Sequence, residues 1–197
     1  MIFALLLAAA APQSAIDAER AFAAAAQTDG QWTAFRAYAA PDGVLFTPQQ
    51  VNAQEWLKGR ADPPQAVMWW PAEAWISCDG TTALTTGPWL RDGGRTAGYF
   101  TTVWRRQPDG SWKWLLDHGH TLARPRPAGD APKVRRASCE GLPTVKRVEG
   151  VRGYETGSSP DGSLVWNWNV FENGARIVWA ELWDGASHRK VLEDKAE

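Results

Sequence analysis

Near the end of the strand-like segment Ser111–His118 stand an acid and two imidazoles, Asp117, His118 and His120. An aspartate in an apolar pocket has a raised pKa and can give or take a proton, and a histidine titrates near neutrality. Side chains alternate along a strand. Trp112, Trp114, Leu116 and His118 are therefore expected on one face, with Lys113, Leu115 and Asp117 on the other. Asp117 and His118 then enter one cavity together only if a bulge interrupts the strand, although either can act alone. A structural reading of the pair stays open: Asp117 bound to Lys113 or an arginine on the sheet surface, and His118 closing the strand. Asp42 is a third candidate, as a general base, while Pro41-Asp42-Gly43 also reads as a plain turn.

Several chemistries lack their residues. His118 and His120 share a strand face, but no further ligand set is visible and His188 is far along the chain, so no metal is expected. A G-x-S-x-G motif is absent, Gly93-Gly94 is too short for a phosphate loop, and no cofactor is expected. The 21 Lys+Arg against 22 Asp+Glu, net −1, argue against general nucleic-acid binding. No apolar run reaches the roughly 18–20 residues that cross a bilayer. Cys78 and Cys139 fit no zinc pattern. In an oxidising compartment they can pair, closing a loop that stabilises the fold by about 4 kcal/mol; otherwise they are unrelated thiols.

The elements that must position these residues fall into blocks. Met1–Ala11 is an apolar run followed by Pro12, so residues 1–14 read as a secretory signal, and a periplasmic or secreted protein is expected. Ser14–Thr28 is an alanine-rich helix capped by Ser14, and Gln31–Ala39 is a second helix with Trp32, Phe35 and Tyr38 on one side. Val44–Phe46 reads as a short strand, and Asn52-Ala-Gln-Glu55 opens a third helix through about Lys58. Gln65–Ile76, Thr81–Arg91, Arg95–Gln107 and Ser111–His118 alternate with the turn signals Cys78-Asp79-Gly80, Asp92-Gly93-Gly94 and Pro108-Asp109-Gly110. That is an antiparallel meander, and helices before strands make the class α+β.

Residues 122–152 carry a net charge of +5 and four prolines, and read as a solvated, mostly irregular linker with one strand near Thr144–Glu149. Ser163–Phe171, Ala175–Asp184 and His188–Glu193 read as a three-stranded antiparallel extension spanning 153–197. Its Trp166 and Trp168 alternate with Asn167 and Asn169, so the apolar face needs a cover: the first domain, or another subunit.

An ordered series runs through the first domain, residues 15–121: Ala18-Glu19-Arg20-Ala21-Phe22, Ala34-Phe35-Arg36-Ala37-Tyr38-Ala39, Asp42-Gly43-Val44-Leu45-Phe46-Thr47-Pro48, Trp70-Pro71, Thr85-Thr86-Gly87-Pro88-Trp89, Gly98-Tyr99-Phe100, Val103-Trp104-Arg105-Arg106 and Asp109-Gly110-Ser111-Trp112-Lys113-Trp114. This series resembles the nuclear-transport-factor-2-like superfamily, in the ketosteroid-isomerase and SnoaL-like group, a branch of unknown function. Asp117-His118 resembles the Asp-His pair that ends the last strand in that branch. The resemblance implies a cone-shaped curved antiparallel sheet packed on three N-terminal helices, an apolar cavity, and homodimers formed through the outer sheet face. Lining residues expected from it are Tyr38, Trp69, Trp89, Tyr99, Trp104 and Trp114. Tyr38, Tyr99 and Asp117 are residue types that ketosteroid isomerases use, yet they match no motif position by position, so that activity is not carried over. The expected partner is a small apolar or aromatic molecule, with isomerase- or dehydratase-like chemistry at the acid candidates. The competing expectation is a non-catalytic homodimeric interaction protein using Trp-rich sheet faces, and a third is carbohydrate binding by exposed tryptophans.

Overall fold

The computed structural model describes residues 14–143 and 154–197. The expected signal segment up to Gln13, and the strand expected near Thr144–Glu149, lie outside the described residues.

Three helices come first. Helix α1 (Ala15–Thr28) starts where the Ser14 hydroxyl accepts the Asp17 amide, and it buries one stripe of Ala15, Ala18, Glu19, Phe22 and Ala26. Helix α2 (Gln31–Tyr38) is capped from a distance. Asp62 accepts both the Thr33 amide (2.9 Å) and the Thr33 hydroxyl (2.6 Å), and a Cβ on Gly30, at φ +106°, would overlap that carboxylate. Helix α3 (Ala53–Leu57) is capped by Asn52, as its capping box predicts.

The strands β1 (Ala39–Phe46), β2 (Gln50–Asn52), β3 (Met68–Trp69), β4 (Glu73–Ile76), β5 (Thr82–Arg91), β6 (Thr96–Arg106), β7 (Trp112–Leu122) and β8 (Lys133–Arg136) form one sheet. Its order is β2-β1-β7-β6-β5-β4-β8, with β3 also beside β5. The single strand expected over Gln65–Ile76 is split at Trp70-Pro71, because proline cannot donate to a ladder. Two pairings are parallel rather than antiparallel: β1 with β7, and β4 with β8. The basic linker is not irregular throughout, since β8 extends the sheet edge.

The C-terminal extension is a second sheet of four strands, not three. It comprises β9 (Glu155–Ser158), β10 (Leu164–Val170), β11 (Arg176–Trp183) and β12 (His188–Ala196), in the order β12-β11-β10-β9. Strand β9 carries no alternation signal, because Glu155-Thr156-Gly157-Ser158 has no apolar residue to alternate. Gly157 is there because Trp166 lies across it; a Cβ would sit 2.4 Å from the indole.

The first sheet is covered on both sides. The helices and the sheet enclose one apolar cluster that includes Phe22, Leu57, Trp69, Trp104 and Trp114. The second sheet packs on the other face, where Trp75, Leu84, Val103 and Leu116 meet Leu164, Trp166, Val178 and Leu192. The Trp-rich face of the extension is therefore covered by the first domain of the same chain.

Cys78 and Cys139 are joined in a disulfide spanning 61 residues of sequence, binding the end of β4 to the segment after β8. Beside it, the Cys78 amide donates to Ser163 Oγ (2.8 Å) and the Ser138 amide to the Trp183 carbonyl (2.9 Å), which ties both sheets to the bridge. Replacing both cysteines by serine should lower the free energy of unfolding by about 4 kcal/mol, from loop-closure entropy. Urea titration of the two proteins measures this; a loss under about 1 kcal/mol would show that the bridge does not constrain the unfolded chain.

Candidate functional site

Between the helices and the first sheet lies a hollow of about 400 Å³. Its wall is aromatic: Trp32 and Phe35 from α2, Trp56 from α3, Trp69 from β3, Trp89 from β5 and Phe100 from β6. Trp32 stands edge-on to both Phe35 and Trp56, with ring centroids 5.4 Å apart in each case. The ladder between β1 and β7 ends at Val44–Leu116. Beyond that point Phe46 and Thr47 on one side, and His118 to Thr121 on the other, line the mouth. Trp89 keeps its place against the sheet because position 98 is glycine; a Cβ there would fall 2.4 Å from the indole.

One extra residue in β7 decides which side chains reach this hollow. Val103 pairs with Leu116 and Trp104 with Trp114, so Leu115 is a bulge. Trp112 and Trp114 belong to the helix-side core, whereas Leu116 belongs to the core between the sheets. The uninterrupted alternation expected for Trp112, Trp114, Leu116 and His118 is thus corrected. After the bulge, Asp117 points to the helix side and His118 to the other. The two line the hollow from different places, Asp117 within and His118 at the mouth.

Asp117 does not pair with Lys113. It accepts a hydrogen bond from Thr102 Oγ1 at Oδ2 (2.9 Å), and Lys113 donates to the Ala37 carbonyl. No hydrogen bond to Oδ1 is found among the described residues. Burial, together with the nearby Glu19 carboxylate, pushes the Asp117 pKa up to about 8, while Thr102 pulls weakly the other way.

Glu19 is the residue that the sequence reading passed over. It is fully buried, accepting from Trp69 Nε1 (2.7 Å) at Oε1, and from Thr85 Oγ1 (2.6 Å) and Trp104 Nε1 (2.8 Å) at Oε2. Burial raises its pKa against the pull of these donors. The signal was its place on the α1 stripe: Glu19 falls between Ala18 and Phe22 among residues that all point inward.

His118 is locked into one tautomer. Arg176 Nε can only donate, so Nδ1 accepts from it (2.8 Å). The ring proton is then on Nε2 and goes to Tyr99 Oη (3.0 Å), whose own proton goes to the Lys195 carbonyl (3.1 Å). Burial first, then the cations Arg176 and Arg126 and the neighbouring His120, hold the His118 pKa well below the ordinary histidine value. His118 is therefore a neutral joint between the sheets.

The remaining expected site residues are dispersed. Trp69 and Trp89 line the hollow. Trp104 and Trp114 do not: both are fully buried in the packed core. Tyr38 packs on Phe22 and Trp104 rather than on the hollow. Tyr99 lies on the opposite face of the sheet, bonded to His118 and beneath Arg126, because it is one residue out of phase with Phe100. Asp42 is on the surface in an ion pair with Arg105 (3.0 Å). Among the described residues no group of three or more His, Cys, Asp or Glu is arranged to hold a metal ion. No helix there is long and apolar enough to cross a membrane.

No family model and no curated protein matches the chain. Solved structures do. A proposed ketosteroid isomerase from Parabacteroides distasonis is 16% identical, with a TM-score of 0.46 over 56% of this chain and 90% of its own. A ketosteroid isomerase-like protein from Erwinia carotovora atroseptica, also 16% identical, gives 0.40 over 55% and 95%. A proposed aromatic ring hydroxylase from Novosphingobium aromaticivorans, at 16% identity, gives 0.38 over 56% and 87%. The likeness is one of fold, and it spans little more than half of this chain.

Asp117 also writes itself into the pH dependence of stability. Its folded pKa, about 8, lies above the ordinary value of 3.8. The native state therefore binds the proton more tightly than the unfolded chain. The stabilisation is complete below about pH 4 and is lost as pH rises through 8. Asp117→Asn removes this pH dependence. Its melting temperature should match the wild type near pH 4 and exceed it increasingly towards pH 9, by about 2–4 °C for each kcal/mol involved. Thermal melts of both proteins across that range check this, and parallel profiles would refute the raised pKa.

Proposed function

We propose that this protein binds a small, flat apolar molecule in the aromatic hollow and meets an acceptor on it, such as a carbonyl, with the protonated carboxyl of Asp117. The observation that carries this reading is a partly buried aspartate with one oxygen bonded to Thr102, on the wall of a hollow built from indole and phenyl rings. A cavity of about 400 Å³ is in the range of small-molecule sites, and aromatic walls bury much area at little entropic cost. An acid with a pKa near 8 is charged or neutral according to small changes around it, so it can also pass a proton to and from a bound substrate, which is isomerase- or dehydratase-like chemistry.

The same proposal places the protein in the periplasm or outside the cell. The Cys78–Cys139 bridge and the apolar Met1–Ala11 segment support this. Homodimerisation through the outer face of the first sheet is not part of the proposal, since the second sheet occupies that face. A carbohydrate platform has little support either: of the thirteen tryptophans only Trp70, at 39% exposure, stands open to solvent, and a platform needs a row of them.

The test uses 2-acetonaphthone, a flat bicyclic ketone, with tryptophan fluorescence as the readout. Saturable binding is expected below pH 7. Affinity should then fall as pH rises through 8, by up to about tenfold per pH unit, as Asp117 ionises. Asp117→Asn keeps a donor that does not titrate, so its affinity should be flat over the same range. Asp117→Ala should bind about 5- to 10-fold more weakly at pH 6.5, the worth of one hydrogen bond. No saturation, or a wild-type affinity indifferent to pH, would overturn the reading.

A further inference from the structure

The second sheet reaches into the hollow of the first domain at one point. Arg176, the first residue of β11, lines the mouth together with His118 and Gly119. One edge of its guanidinium is spent on the protein: Nε donates to His118 Nδ1 (2.8 Å) and Nη2 to the Gly119 carbonyl (2.6 Å). Both acceptors are neutral. The other edge, formed by Nη1 and the second hydrogen on Nη2, has no hydrogen-bond partner among the described residues. The Phe46 ring lies beneath the guanidinium, 5.3 Å away. A planar fork held on one edge and free on the other has the geometry for bidentate contact with a carboxylate.

The charge balance points the same way. Arg126, the other half-buried guanidinium on this side of the sheet, pairs with Asp194, and Arg91 at the rim pairs with Asp92. Arg176 makes no ion pair among the described residues. A half-buried cation without a counter-ion is unfavourable, and burial indeed lowers its pKa. Asp117, the acid among the residues lining the hollow, has its pKa pushed up by burial, which weakens it both as a counter-ion for Arg176 and as a source of repulsion for a bound anion.

We propose that the ligand of the hollow is an aromatic or flat apolar carboxylate, its ring against the indole wall and its anionic group on the free edge of Arg176. This deepens the binding reading above and rests on it. The C-terminal extension is then a specificity element, supplying from β11 the cation that the first domain lacks at this mouth.

The experiment compares 2-naphthoate with 2-acetonaphthone at pH 6.5, in the full-length wild type, Arg176→Met and Arg176→Lys. Circular dichroism confirms that each variant is folded. The wild type should bind the carboxylate about tenfold or more tightly than the ketone. Arg176→Met should abolish that preference, bringing carboxylate and ketone affinities to within about twofold of each other. Arg176→Lys keeps the charge and loses the fork, so it should retain part of the preference. It also decides the matter if the methionine variant does not fold. Ketone binding with no carboxylate preference, or a preference untouched by the substitutions at Arg176, overturns the inference and leaves the hollow reading standing. Failure of both probes to bind overturns both.

Discussion

Along the middle of the first sheet, packing on both faces sends strand residues either to the helix-side core or to the core between the sheets. A slip of one residue there exchanges the two sets. In β7 the bulge at Leu115 makes such a slip on purpose. Upstream of it the large indoles of Trp112 and Trp114 go to the helix side; downstream, that side receives Asp117 and Gly119 instead. Replacing bulk by a carboxyl and a bare backbone is what leaves space between the sheet and α2. The hollow is a consequence of strand phase, and so is the acidity of the group that faces it.

Both dry interfaces carry charge, and they handle it differently. On the helix side, Glu19 is wrapped by three side-chain donors while Asp117 has one. Two carboxyls in a low-dielectric space resist joint ionisation, and burial raises the pKa of both. Between the sheets, Asp194 of β12 is met by Arg126 and by Thr101, and Arg126 also donates to Thr86. Burial raises the Asp194 pKa, and the guanidinium draws it back. Arg126 comes from the segment that its prolines and charges marked as a solvated linker. In the fold it leaves that segment to enter the inter-sheet space, stacking over Tyr99 on the way, 4.4 Å from its ring.

Local signals in the chain were enough for the three helices, because each start has its own cap or turn residue: Ser14, Gly30 and Asn52. Asp-Gly and Asn-Gly turns marked the hairpins, and alternation marked most strands. Trp69 and Trp89 were nameable as lining residues through the family resemblance alone, and Asp117 only as one of three acid–base candidates. What escaped was long-range. The phase of β7 depends on a bulge with no local marker, so His118, Tyr99 and Asp117 could not be sorted between faces. The cap of α2 is Asp62, 29 residues beyond the Thr33 that it holds. Strand β8 forms only because β4 offers an edge. Arg176 lies outside the first domain altogether, and nothing within its own strand distinguishes it from a surface arginine.

The disulfide closes its loop around β5, β6 and β7, and that loop holds Trp89, Trp104 and Asp117. Tension applied to the two ends of the chain passes from Cys78 to Cys139 through sulfur. The stretch between them, a sequence separation of 61 and roughly 200 Å of extended backbone, would not lengthen under load while the bond is intact. The strands that build the wall of the hollow are thereby mechanically shielded, and a pull that peels away the second sheet would leave them looped.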